Sequence, residues 1–228
     1  MTYSVDHSFF SQPTEKSFYW AGFLAADGNI DKHKPRVTLA LKSTDIGHLK
    51  KFKEDLRFEG EIKQISSVDN REPFKSEIYH KSYLRFTSKE IVESLNNQFL
   101  ITPCKSKTLK FPDHLSSHPL IHHFIRGLID GDGSIYYKFD PKRKENCAYI
   151  LLCGTEGIVN GVDRVISSNL NIIGKVKNRN GLYHLKYVGH QKLKKIINYL
   201  YFDSTVFLDR KMESAQKILS IKPKPSCA

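Results

Sequence analysis

Two acidic side chains recur in the same local setting. Residues 125 to 137 read IRGLIDGDGSIYY and residues 20 to 30 read WAGFLAADGNI, so Asp132 and Asp27 each close an apolar, helix-like run and each precede a glycine, Gly133 and Gly28. A helix C-terminus carries partial negative charge and repels acidic groups. Two carboxylates placed side by side there repel each other as well. A hard divalent cation reverses the sign of both interactions, because Mg²⁺ takes one or two carboxylates and completes its shell with water and phosphate oxygens. Small residues recur at i and i+4 on both runs, Gly22 with Ala26 and Gly127 with Gly131. Such spacing lets two helix backbones approach closely, and packed in parallel they bring Asp27 beside Asp132.

The elements that must position these acids repeat with them. The chain has 228 residues, enough for two units of roughly 100 residues each. Residues 1–13 form an N-terminal arm, 14–100 a first repeat, 101–117 a Pro- and Lys-containing linker and 118–228 a second repeat. In the first repeat Thr14 is placed to cap a helix ending at Asp27, with Gly28 as its C-cap. The stretch KPRVTLALKS then alternates strictly, Thr44 caps a helix bearing Ile46, Leu49, Phe52 and Leu56, strands follow near GEIKQIS and at IYHKSYLRFT across a loop through Pro73, and Ser88 caps a closing helix. In the second repeat Pro119 suits the first turn of the motif helix. Strands SIYYKF and AYILLC follow, joined by the charged turn DPKRKEN, and then a helix capped by Thr155. A hairpin turns at Asn180-Gly181, where both residues need positive φ, and two helices near 190–201 and 207–220 close the chain. The fold class is therefore α+β: two pseudo-symmetric αββαββα repeats, each with a four-stranded antiparallel sheet covered by helices on one face.

The uncovered faces are basic. Lys and Arg number 36 against 24 Asp and Glu, a net charge of +12, which points to a polyanionic partner. Alternation places Asn29, Arg36, Thr38, Lys81, Tyr83 and Arg85 outward on the first sheet. Ser134, Tyr136, Lys138, Lys175, Lys177, Arg179, His184 and Lys186 lie outward on the second. A β-ribbon fits the major groove of duplex DNA, where Lys and Arg reach guanine O6 and N7. No apolar run approaches a membrane span and the opening residues form no leader, so a soluble, intracellular protein is expected. The four cysteines form no CxxC pair and are expected to be free thiols. His114, His118, His122 and His123 have a zinc-like spacing, but no cysteine pair accompanies them.

Both motif segments resemble the LAGLIDADG motif, and nearly the whole chain resembles a single-chain, two-motif LAGLIDADG homing endonuclease. IRGLIDGDG departs from the motif at Arg126, where the family has a small residue, and WAGFLAADG at Trp20, Phe23 and Ala25. The resemblance implies that the later acid of each motif, Asp27 and Asp132, holds catalytic Mg²⁺ (or Mn²⁺) together with main-chain oxygens at Ala26 and Gly131, and that Asp130 is structural. It also implies a polar or basic assisting residue at the end of the second strand of each repeat, Lys42 and Cys153, and a cation after each closing helix, Lys105 and either Arg210 or Lys211. The expected function is cleavage of both strands of a long, imperfectly palindromic DNA site by a monomer. An intron RNA maturase of the same fold, with RNA as partner, and a non-cleaving DNA-binding regulator are the alternatives. A regulator would be expected to have lost one acid, and both are present. If the two basic faces neutralise about 8 phosphates, log K for DNA should fall with log salt at a slope of about −7. Titration of DNA affinity against salt checks this, and a slope of about −2 would count against two DNA-facing sheets.

Overall fold

The computed structural model describes residues 3–68, 78–142 and 145–221. The loop through Pro73, the middle of the 140–146 turn and the tail containing Cys227 lie outside the described residues. In chain order the first repeat comprises α1 (Glu15–Asp27), β1 (Gly28–Ile30), β2 (Arg36–Lys42), α2 (Ile46–Asp55), β3 (Lys63–Val68), β4 (Ile78–Thr87) and α3 (Lys89–Phe99). The second comprises α4 (Ile121–Asp132), β5 (Gly133–Asp140), β6 (Glu145–Gly154), α5 (Glu156–Leu170), β7 (Lys175–Arg179), β8 (Leu182–Val188), α6 (His190–Tyr201) and α7 (Asp209–Leu219). Each repeat builds one antiparallel sheet, ordered β1-β2-β4-β3 and β5-β6-β8-β7.

Local chemistry explains most element boundaries. Thr14 and Ser17 cap α1 reciprocally, each backbone N–H donating to the other's hydroxyl. Ser88 and Thr155 accept from the amides of Ile91 and Ile158 and cap α3 and α5. Asn180 and Gly181 adopt φ of 54° and 85°, as the tight hairpin requires. Thr44 does not cap α2: it lies in a 3₁₀ turn, Ser43–Asp45, and α2 begins without a side-chain cap. Pro119 precedes α4 by two residues instead of sitting in its first turn. Strand β1 has only three residues, too few to show alternation, so sequence periodicity does not reveal it.

Both motif glycines end their helices for a reason other than left-handed backbone. Gly28 and Gly133 have φ of −75° and −102°, extended values open to any residue, and the chain runs directly from helix into strand. What excludes a side chain is space. A Cβ at Gly28 would lie 2.6 Å from the Leu24 carbonyl oxygen, and one at Gly133 would lie 2.6 Å from that of Ile129.

Helices α1 and α4 pack in parallel at the centre of the molecule, with Tyr19 level with Gly127 and Ala26 level with Gly131. A Cβ at Gly22 would fall 2.0 Å from the Phe124 carbonyl oxygen, and one at Gly127 would fall 2.1 Å from that of Tyr19. Around this seam a continuous core runs through both repeats, from Phe10, Phe52 and Leu84 to Ile150, Leu185 and Ile197. Arg126, the departure from the motif, is wholly buried. Its guanidinium donates to the carbonyls of Leu200 (2.9 Å) and Val206 (3.1 Å) and to Glu15 Oε1 (2.7 Å), and lies over the Tyr19 ring. It ties α4 to the first turn of α1 and to the connection between α6 and α7.

Overpacking against backbone cannot relax by a rotamer change. Gly22→Ala and Gly127→Ala should each cost about 3 kcal/mol or more in urea unfolding. Gly47→Ala, on an exposed turn of α2 with open space where the Cβ would sit, should instead stabilise by about 0.5–1 kcal/mol. Similar effects at all three positions would mean that the seam is not close-packed.

Candidate active site

Three acids stand at the ends of the paired helices, in two different situations. Asp130 is buried and fully engaged: Oδ2 accepts from Tyr19 Oη and the Leu208 amide, both at 2.8 Å, and Oδ1 accepts from Tyr201 Oη at 3.3 Å. Leu208 immediately precedes α7, so Asp130 meets the positive end of that helix. Asp27 and Asp132 reach solvent at their tips, and among the described residues neither carboxylate has a hydrogen bond or an ion pair. Partial crowding by protein and repulsion from Asp132 push the Asp27 carboxyl up from 3.8 to about 6. Crowding also raises Asp132, against the pull of Lys105 and Lys211. Between pH 3.8 and 6 the native state therefore holds more protons at Asp27 than the unfolded chain, so this group makes stability fall as pH rises through that window.

The helix ends open into two cavities of about 590 and 310 Å³, and each takes its acid from one motif and its neighbour from the other. The larger holds Asp27 with Gly131, together with Lys42, Lys81, Asp45 and Arg210. The smaller holds Asp132 with Ala26, together with Lys105, Cys153, Thr155 and Leu182. This crossing follows from the seam. A Cβ at Gly131 would fall 2.3 Å from the Ala26 Cβ and 3.4 Å from Asp27 Oδ2, so the absence of a side chain there lets the two helix ends meet.

The cations after the closing helices are now distinguishable. Lys105 is buried and its Nζ donates to the Ala26 carbonyl at 3.0 Å. Burial lowers its pKa, against the pull of Asp132 and Asp27. Lys211 is also buried, with Nζ on the carbonyls of Ile129, Asp130 and Gly133 (2.8 Å to the last), and burial lowers it to about 8. Arg210 stays at the surface, lines the Asp27 cavity and bonds Asp45 Oδ2 at 3.3 Å. Lys211 thus braces the α4 terminus from inside, while Arg210 faces the cavity.

Strand registers correct one expected match. Leu39 pairs with Gly28 and Leu84, and Leu152 pairs with Gly133 and Leu185. Counting onward from these anchors, Lys42 corresponds to Thr155, Lys81 to Leu182 and Cys153 to Ala40. Cys153 therefore does not stand in the place of Lys42. It lies instead beside His184, with Sγ 3.4 Å from Nδ1. Thr155 and Leu182 escape a reading from the motifs because the strands of the β1–β2 hairpin, 3 and 7 residues long, are shorter than those of the β5–β6 hairpin, 8 and 10, so distance from the Asp-Gly pair does not give the equivalence. Thr155 had a signal of its own, as a helix cap directly after a strand.

Every outward residue expected on the sheets lies on the face away from the core. Asn29 stands opposite Thr38, Thr38 opposite Arg85, Tyr83 opposite Ala40 and Lys81 opposite Lys42, and Arg36 shares that face. On the second sheet Ser134 faces Leu151, Tyr136 stacks on Tyr149 at 4.7 Å, and Lys138 stands opposite Cys147. Lys175 is opposite Lys186, Lys177 opposite His184 and Arg179 opposite Leu182. Like charges directly opposite on a sheet are destabilising. The pairs Lys42–Lys81 and Lys175–Lys186 are stored repulsion that a polyanion would relieve. The four histidines do not converge, and among the described residues no group of three or more His, Cys, Asp or Glu is placed to hold a metal ion. No helix of the described residues is long and apolar enough to cross a membrane.

No protein-family model and no curated protein sequence matches the chain. Solved structures do. Full-length DUF199/WhiA from Thermatoga maritima is 13% identical, with 96% of this chain and 67% of that one covered and a TM-score of 0.54. The meganuclease I-SmaMI bound to uncleaveable DNA is 11% identical over 89% of this chain and 88% of that one, with a TM-score of 0.57. The LAGLIDADG meganuclease I-AabMI bound to uncleaved DNA is 13% identical over 89% of each chain, with a TM-score of 0.53. At such identities the likeness is one of fold, and this chain has the two-repeat LAGLIDADG fold.

Carboxyl ¹³C titration of the metal-free protein should place Asp27 near 6, and Asp132→Asn should lower it by removing the facing charge. An unchanged value would mean that the two acids do not interact.

Proposed function

We propose that this chain is a site-specific endonuclease that hydrolyses both strands of a long, imperfectly palindromic duplex DNA target, with Mg²⁺ as cofactor and Mn²⁺ able to replace it. The observation that carries the reading is the pair of solvent-reaching carboxylates, unpaired by any protein cation among the described residues, held between two basic sheet faces. The DNA-bound meganucleases of the same fold support it.

The donor set suits a hard divalent ion. Each cavity offers one carboxylate and, at Gly131 or Ala26, a main-chain carbonyl from the opposite motif, so most of a coordination shell would come from water and phosphate oxygens. The Ala26 carbonyl already accepts from Lys105, leaving one lone pair for an ion, whereas the Gly131 carbonyl faces no side-chain donor among the described residues. A bound ion would lower the pKa of an attacking water and offset charge on the leaving O3′.

The chain's own residues do the rest. Sheet cations dock the phosphodiester backbones, with Arg85 fixed by its bond to Thr38 Oγ1 (3.1 Å) and Lys186 held 4.1 Å over the Tyr149 ring. Lys42 and Lys81 place ammonium groups where negative charge grows on the phosphate in the transition state. In each strand a water oxygen bonds to phosphorus as the P–O3′ bond breaks. The water's proton passes to solvent and O3′ takes one up, so one water is consumed per cut.

Asp27→Asn, Asp132→Asn and the double variant keep the side-chain shape and remove the anionic ligand. Cleavage of a target selected from randomised DNA should fall by orders of magnitude, while affinity holds or rises because a charge repelling the backbone is gone. Parallel loss of binding and folding would make the acids structural. Wild-type protein that binds its DNA but never cuts with Mg²⁺ would favour the regulator, and dependence of an intron's splicing on the protein would favour the maturase.

A further inference from the structure

The two cavities are related by the pseudo-twofold symmetry of the fold but are chemically unequal. In the Asp27 cavity Lys42 and Lys81 stand directly opposite each other on β2 and β4, and both are exposed. Asp45, which also lines that cavity, is engaged by Arg210, and neither lysine has an ion-pair partner among the described residues. In the Asp132 cavity the corresponding positions are Thr155 and Leu182. The Thr155 hydroxyl donates to the Leu109 carbonyl and accepts from the Ile158 amide, so it is committed to capping α5. Leu182 is 46% exposed and offers only hydrocarbon where its counterpart offers an ammonium group. Lys105 is the cation among the described lining residues there, and it is held on the Ala26 carbonyl; Arg179 stands opposite Leu182 on β7, outside that lining.

From this inequality we infer that the two strands are cut in a set order: the strand whose scissile phosphate enters the Asp27 cavity goes first, a nicked duplex accumulates, and Leu182 and Thr155 set the slower second cut. The inference rests on the endonuclease reading above. Its physical basis is the charge that hydrolysis adds to the phosphate and to O3′. Preorganised donors aimed at that charge are worth up to about 10²–10³ in rate each. The first cavity is lined by two ammonium-bearing side chains, and the second has hydrocarbon and an occupied hydroxyl in their places.

The test follows both strands of one selected target, each with its own label, alongside a supercoiled plasmid carrying the same site. Wild-type protein with Mg²⁺ should build up nicked circle and cut one strand at least about 10-fold faster than the other. Leu182→Lys should speed the slow strand and shrink the ratio at least about 5-fold, whereas the mirror change Lys81→Leu should slow the fast strand. Leu182 is a surface side chain, so its replacement does not threaten the core. Measured without metal, Leu182→Lys should also steepen the slope of log K against log salt by about 1, the signature of one added phosphate contact. Equal strand rates in the wild type, or a ratio that neither variant moves, would overturn the order of cutting and leave the endonuclease reading intact. Absence of any cleavage of bound DNA would overturn both.

Discussion

The structure depends on one close approach, that of α1 to α4 through Gly22 and Gly127. With no Cβ at either position, each helix lets the other's backbone carbonyl occupy the space a side chain would fill. Several consequences follow from this contact. It runs the two motif helices in parallel, so their C-termini and their acids arrive together. It crosses the motifs, so Asp27 stands over Gly131 while Asp132 shares its cavity with Ala26. It also leaves the two sheets on either side of the seam, each with its polar face uncovered.

Bringing acids to two helix C-termini concentrates negative charge, and the fold compensates part of it and leaves part open. Asp130 shows the compensated case. Two tyrosine hydroxyls, a backbone amide and the start of α7 surround it, and the ammonium group of Lys211 sits on neighbouring carbonyls. Burial still raises the Asp130 carboxyl above its ordinary value, so these donors offset only part of the desolvation, and losing any of them would leave a buried charge less compensated. Two residues further on, Asp132 has none of these partners. The contrast within one turn of helix separates an acid that holds the fold from one left available for a ligand.

The sheets repeat this pattern at lower intensity. Facing lysines and a net charge of +12 keep the isolated protein under self-repulsion. Apolar inner faces offset this: Val37, Leu39, Leu84 and Phe86 on one sheet, Ile150, Leu152, Leu185 and Tyr187 on the other, all buried. The arrangement trades some stability of the free protein for an outer surface matched to a polyanion, as expected where function and folding make opposite demands on the same residues.

The fold class, the duplication, most helix caps, the Asn180-Gly181 hairpin and the outward basic faces were all legible in the sequence, because each depends on neighbours within a few residues or on a period of 2 or 3.6. The two acids were legible too, since each repeats within its own local pattern. Other features depended on contacts between distant segments. The reason for glycine after each acid is a helix carbonyl lying where a Cβ would go, not the left-handed backbone that the residue type suggests. The role of Arg126 emerges only when α6 and α7 fold back to offer it carbonyls. The counterpart of Lys42 proved to be Thr155 and not Cys153, because equivalence is set by hydrogen-bond register across two hairpins whose strands differ in length. The crosswise sharing of acids between cavities likewise has no trace in either motif alone. Spacing along the chain identifies which groups can do chemistry, but which of them share a cavity is decided by backbone packing between segments about half a chain apart.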